Sequence, residues 1–472
     1  MGDFDDDDAL SDEPLSRLKI LYYGVGHMLN DVTAACWFTY LLLFLTDIGL
    51  TPRDSAIVML CGQIADGFAT IFAGELIDRL GHFKAWHGAG STLVAFSFSA
   101  VFGGCFPCHL LGSLSSTVKT ISYSTSAAIF NIGWAATQVS HMSMLNCLSL
   151  NASTRVIMAS CRNTFTMVAN LSLYAIAFFV FSQIDGNSLS DVEHQYRCIA
   201  FVSIGFGCCF VAVFHLGIKE PRLIKEHHEA GLKKMAWSYW FKKTLYYQIC
   251  LIYTLTRLVQ NVSQAYLAYY IIDDLKILQS AKALVPAIIY MSSFAVSVVM
   301  QGLTWNANFL KIYYSAGGII WIFCGVAILF LPENLSFLLY AISVCIGVAN
   351  AFMSVSFYFS FSKIRYFREN RRWSNQVTAV SMQSVLIGSD LNGCAFVCGS
   401  FSFADKISCG VGLYVLQSLQ HVNLQTARSV VSVTRIGLGL VPTVCSALAV
   451  AVTYFTRLQT TPALPLICPL LE

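Results

Sequence analysis

Apolar runs of roughly twenty residues recur from Ile20 to Phe455, each long enough to cross a bilayer as a helix. In lipid the backbone must satisfy its own hydrogen bonds, so a spanning segment is a helix or part of a closed barrel. The period-two alternation of barrel strands is absent, which leaves helices. Composition agrees: 56% of the residues are hydrophobic and 12% charged, about half the charge of an ordinary soluble chain. We expect helices over 20–48, 54–77, 88–108, 117–144, 155–184, 197–218, 245–272, 282–304, 312–332, 335–361, 388–419 and 428–455. The expected class is an all-α polytopic membrane protein with about twelve transmembrane helices in two six-helix halves.

Charge divides the chain further. Residues 1–14 form an acidic tail, expected to be disordered, with neither the basic start nor the apolar core of a signal peptide. The first helix, at the head of the half 15–218, then serves as the insertion signal. The stretch 219–244 carries Lys219, Arg222, Lys225, Lys233, Lys234, Lys242 and Lys243 against three glutamates. The positive-inside rule makes it a cytoplasmic linker. The loop 185–196 holds Asp185, Asp191 and Glu193 with no Lys or Arg, as expected of the other side. Arg17, Lys19 and Arg457 put both termini in the cytoplasm, with 245–456 as the second half and 457–472 as a tail.

Several ionisable residues fall inside these segments: Asp31, Asp66, Arg162, Arg257 and the pair Asp405-Lys406. Each costs about 2.5–3.5 kcal/mol to insert unless it faces a partner or a cavity. Single ones serve as interhelical staples or snorkel to the surface. The set as a whole, with both signs present, suits a central polar cavity. The 17 cysteines are scattered through apolar stretches as small hydrophobes. Cys105 and Cys108 are closely spaced around Phe106-Pro107; a disulfide, a metal site and two free thiols all fit, free thiols being the plainest reading. No cluster has zinc spacing, and no nucleophile–base pair or phosphate loop suggests an enzyme or a cofactor. The net charge of +3 gives no reason to expect nucleic acid as a partner. The partners expected are the lipid bilayer and a small-molecule substrate.

The run Gly74-Glu75-Leu76-Ile77-Asp78-Arg79-Leu80-Gly81-His82-Phe83-Lys84 resembles the loop 2–3 signature of the major facilitator superfamily. In such a joint Gly74, Asp78, Arg79, Gly81 and Lys84 act as a conformational gate between two sliding helices. Within that superfamily the chain is similar to the melibiose-permease-like sugar–cation symporters. Tyr23-Gly24 through Asp31, Asp66 followed by Trp86, Arg162 and Lys406 match that branch's pattern. The resemblance implies that Asp31 and Arg162 meet substrate and that Asp66 and Lys406 handle the cation. The branch's second carboxylate, one turn before Asp66, is Gly62 here, which weakens sodium coupling and leaves H+ as the alternative to Na+.

Over nearly its whole length the chain also resembles a lysosomal and melanosomal cysteine-transporter family. Tyr23–His27 with Asn30-Asp31, Trp37–Leu41, Lys84–His87, Gly133–Ala135, Thr137–His141, Phe214–Gly217, Thr256–Leu258, Asn261–Gln264, Gly399-Ser400, Phe403 and Asp405-Lys406 carry the likeness. It implies import of cysteine into an organelle and a link to pigmentation. A zwitterion needs a cation for its carboxylate, here Arg162 or Arg257, and an anion for its ammonium, here Asp31. Trp134, Gln138, His141, Asn261 and Gln264 are candidates to line the cavity or to bond between helices. Asp66, Lys406 and Asp405 are the candidates for coupling. The basic run 357–376 has no counterpart in the family. It is either a cytoplasmic loop beyond a complete tenth helix or the product of an alternative transcript or gene-model error. The function expected is alternating-access transport, with a sugar–cation symporter or a non-transporting membrane scaffold as alternatives.

Overall fold

The computed structural model describes residues 15–105, 108, 115–149, 152–184, 186, 188–220, 237–301, 307–358, 394–426 and 432–456. The acidic tail 1–14, most of the linker 219–244, the insert 357–376 beyond its first two residues, and the tail 457–472 lie outside them.

The described residues are helical, with no strand among them. The first half contains α1 (Arg17–Val25), α2 (Met28–Asp47), α3 (Pro52–Leu80) and α4 (Phe83–Phe102). It continues through α5 (Ser116–Leu148), α6 (Ala152–Gln183) and α7 (Leu189–Gly217). The short α8 (Trp237–Phe241) leads into α9 (Thr244–Tyr269), α10 (Ala281–Gln301), α11 (Ala307–Phe330), α12 (Leu338–Tyr358) and α13 (Cys394–Thr426). The last crossing joins α14 (Val433–Arg435), a π turn at Ile436–Leu440 and α15 (Val441–Phe455). With α1–α2 and α14–α15 each counted as one crossing, the described chain crosses twelve times, six in each half. Seven of these segments are apolar enough to span a membrane by length and composition alone. Of the other five, α12 is apolar but short over Leu338–Ser354, and α4, α5, α9 and α13 carry more polar residues. Outward-facing Phe72, Phe96, Phe179, Phe323 and Phe330 are each more than 60% exposed, an apolar coat that belongs against lipid tails.

The two halves repeat one packing plan. α3 and α4 both pack on α5, as α10 and α11 both pack on α12. α2 and α4 pack on α7, as α9 and α11 pack on α15. Across the seam α3 meets α13 while α6 meets α10, and α2 meets its counterpart α9. These pairings exchange under a shift of six crossings, so the halves are related by an approximate two-fold axis. Close approach within a half depends on small residues: a Cβ at Gly133 would lie 2.8 Å from Gly90 O.

Three expectations change. The first crossing is not one helix over 20–48: it breaks at Gly26 and His27. Gly26 N turns back onto Tyr23 O at 3.1 Å. The carbonyls of Tyr23 and Gly26 accept from His141 Nε2 at 2.9 Å and His87 Nε2 at 3.0 Å. A weak helix former with outside donors for its neighbours' carbonyls is a physical cause for a break. Second, α3 runs on to Leu80, so Gly74, Asp78 and Arg79 are helical and the turn itself is only Gly81 and His82, both at positive φ. Third, Cys105 and Cys108 form a disulfide rather than two free thiols.

Candidate functional site

α2 and α6 build the first charged cluster. His27 and Asp31 stand one turn apart on the same face. His27 Nδ1 donates to Asp31 Oδ1 at 2.8 Å. Thr166, one turn beyond Arg162 on α6, donates to Asp31 Oδ2 at 2.7 Å. Arg162 is not in direct contact with Asp31 and reaches it through the imidazole: its Nη2 lies 3.4 Å from His27 Nε2. Arg162 Nε has no hydrogen-bond partner among the described residues. Asn30 Nδ2 donates to Trp134 O at 3.0 Å and Trp134 Nε1 returns a bond to Asn30 O at 3.3 Å, which ties α2 to α5. Gln138 lies one turn past Trp134, half-buried. His141 is fully buried and packs its ring on Tyr23, centroids 4.3 Å apart.

The second cluster bridges the halves. Lys406 Nζ on α13 lies 2.6 Å from Asp66 Oδ2 on α3, with the side chains 6% and 0% exposed. Thr70 donates to the other carboxylate oxygen at 3.2 Å. The ammonium also sits 4.5 Å from the centre of the Trp134 ring, a cation–π contact. At Gly62, where the sugar–cation branch has its second carboxylate, a Cβ would lie 2.5 Å from Asn131 Nδ2. The asparagine amide fills the space a second ligand would need.

The third cluster is internal to the second half. Arg257 Nε donates to Asp405 Oδ2 at 3.0 Å. Cys409 Sγ donates to Oδ1 at 3.2 Å, and Asn261 Nδ2 approaches that oxygen at 3.5 Å and the cysteine sulfur at 3.2 Å. Asp405 is 1% exposed but Arg257 keeps 26%, so the pair fronts an accessible space. Gln264, two turns beyond Arg257 on α9, reaches across the seam and donates to Thr39 at 2.9 Å. Tyr290 on α10 lies within electrostatic reach of both Asp31 and Arg257.

Every named polar contact between the halves lies near the middle of the bundle or toward the end holding Asp47 and Asp273. Tyr40 donates to Lys282 O at 3.1 Å, and Thr46 bonds Tyr269 at 2.9 Å. At the other end, basic through Arg17, Arg79, Lys84 and Lys219, the named contacts stay within one half. Arg79 pairs with Glu75 at 2.6 Å. Lys84 Nζ donates to His215 O at 2.9 Å and Lys84 N to Glu220 at 3.0 Å. Gly74 lies against Val139 of α5. The structure thus places Asp31 with Arg162, Asp66 with Lys406 and Trp134, and Arg257 with Asp405 and Asn261; it does not bring Gln264 to any of these charges. His27, Thr166, Thr39 and Tyr290 were missed. The i, i+4 spacing of His27 and Asp31, and of Arg162 and Thr166, was the signal for the first two.

Two six-crossing halves about a pseudo-two-fold axis, with ion pairs buried on and beside the seam, define a transporter of the major facilitator type. The chain belongs to the MFS/sugar transport protein family, which matches residues 22–460. It is similar to major facilitator superfamily domain-containing protein 12 of Homo sapiens, 31% identical over 444 residues, 87% of each chain. To the protein of the same name from Equus caballus it is 29% identical over 440 residues, again 87% of each chain. In structure it is similar to the D-xylose-proton symporter, with a TM-score of 0.66 at 12% identity over 92% of this chain and 96% of that one.

Proposed function

We propose that this transporter moves cysteine, or a small zwitterion like it, into lysosomes or melanosomes by alternating access of its two halves. The observation that carries the reading is the pair of charged clusters on opposite sides of the seam, Asp31–His27–Arg162 and Arg257–Asp405, with Tyr290 between them. Arg162, whose Nε has no hydrogen-bond partner among the described residues, suits a substrate carboxylate, and Asp31 suits its ammonium. The basic end is the cytoplasmic one by the positive-inside rule, so the closed end faces the lumen. Asp66 and Lys406 join the halves and act in coupling. Asn131 in the space beside Gly62 favours a proton over sodium as the coupling ion, and Gly74–Lys84 forms the joint on which α3 and α4 move.

Labelled cysteine uptake into organelles of cells lacking their own activity tests this. Asp31→Ala and Arg257→Ala should each reduce uptake by about 10–100-fold, the worth of one charged hydrogen bond, while protein still reaches the membrane. Undiminished uptake by both variants sinks the substrate assignment. Sodium-dependent sugar uptake would identify a symporter of the sugar–cation kind instead, and flux of neither solute would identify a scaffold.

A further inference from the structure

Four histidines from four crossings stand in a row between Asp31 and the basic end. His27 is the residue just before α2, His141 is on α5, His87 on α4 and His215 on α7. Successive ring centroids are 5.5, 5.8 and 5.1 Å apart. The first three rings are at most 2% exposed; His215 reaches the surface.

Their bonds assign the tautomers. His27 Nδ1–H donates to Asp31, so Nε2 is its acceptor, approached by Asn30 Nδ2 and Arg162 Nη2 at 3.4 Å each. A carbonyl can only accept, so His87 carries its hydrogen on Nε2, donated to Gly26 O. His87 Nδ1 then accepts from His215 Nε2 at 3.1 Å. His141 likewise carries its hydrogen on Nε2, donated to Tyr23 O. That leaves His141 Nδ1 a bare acceptor, fully buried, with no partner among the described residues. An unmet buried acceptor costs about 1–3 kcal/mol. Bracing the break in the first crossing needs two donors, His87 and His141. It explains neither His215 nor the unmet nitrogen.

We propose that these four imidazoles conduct the coupling proton between solvent at the basic end and the Asp31 carboxylate. A proton from water adds to His215 Nδ1, and His215 passes its Nε2 proton to His87 Nδ1. His87 releases its own Nε2 proton to His141 Nδ1 by ring rotation or through one bridging water. His141 passes its Nε2 proton to His27 Nε2 in the same way, displacing the long Asn30 and Arg162 contacts there, and His27 delivers its Nδ1 proton to Asp31 Oδ1. One proton enters, one ends on a neutral carboxyl group, and no electron moves. The charges facing the row balance at both ends: Arg162 and Asp31 beside His27, Lys84 and Glu220 beside His215. Among the described residues, His141 faces Arg162 and the other rings, and His87 faces histidines. Asp31 thereby becomes the group through which substrate and proton compete, which links binding to coupling.

The proposal rests on the transporter reading, and two readouts on the full chain in liposomes keep the two apart. Counterflow exchange of labelled cysteine needs no net proton movement and tests transport alone. A pH dye inside the vesicles reads cysteine-driven proton flux. His87→Gln keeps a donor for Gly26 O but cannot relay a proton; His215→Gln alters the surface entry and guards against misfolding of the buried variant. Both should keep counterflow within about twofold, as benign substitutions do. Both should lose proton flux by at least about 10-fold, less than the usual loss of an acid–base group. Proton flux at the parental level in both variants overturns the wire, as does a parent that exchanges cysteine without moving protons. A parent without counterflow overturns the transporter reading and the wire with it.

Discussion

Asp405 and Lys406 are neighbours on α13, yet their ion pairs differ in kind. Successive residues of a helix point about 100° apart. Asp405 therefore turns to Arg257 inside its own half, while Lys406 turns across the seam to Asp66. The seam pair is sealed, at 6% and 0% exposure, and the inner pair keeps 26% of its arginine exposed. A buried pair broken on one side leaves a charge with no partner, whereas a pair with access to water can be rehydrated. One turn of one helix thus holds a sealed pair between the halves and a half-open pair within one of them. Any rotation of α13 moves both.

The largest effect should come from the seam. Lys406→Ala leaves Asp66 buried and unpaired, and should lower stability by about 3–5 kcal/mol, read as a fall in the melting temperature of the purified protein. Asp66→Asn with Lys406→Met should recover most of that loss. Arg257→Ala should cost less stability than Lys406→Ala, because Asp405 retains Cys409 and Asn261; equal losses would erase the distinction between the pairs. A smaller effect belongs to the closed end. Thr39→Val removes the bond from Gln264, worth about 1 kcal/mol. It should speed hydrogen exchange at the ends of α2 and α9 about fivefold if that end is a closed gate. The smallest is Arg79→Ala: its pair with Glu75 is 72% and 55% exposed and should shift stability by no more than about 0.5 kcal/mol.

Hydropathy runs and the basic stretch 219–244 made the two six-crossing halves legible, because length and charge placement are one-dimensional properties of a chain in a bilayer. The break at Gly26 was not legible: the donors that hold it, His87 and His141, lie more than fifty residues away. The charged residues were visible individually, since any ionisable group in an apolar run stands out. Their pairing was not. Nothing in the order Asp405-Lys406 says which partner lies in which half, and Arg162 reaches Asp31 only through the imidazole of His27, which falls inside the expected helix 20–48 with only its spacing from Asp31 to mark its role. Gln264 reads as a cavity residue from its position on α9, but its bond goes to Thr39 because α9 and α2 converge toward the closed end.

The disulfide between Cys105 and Cys108 just beyond α4 has a consequence for biosynthesis. Such bonds persist where thiol reductants are scarce, and this one sits at the end of the bundle away from Lys84. It therefore records, in redox chemistry rather than in charge, which face of the membrane met an oxidising compartment as the chain matured. A membrane-impermeant reductant applied to one face of sealed vesicles reads that record directly, and gives the protein's orientation independently of every lysine and arginine it carries.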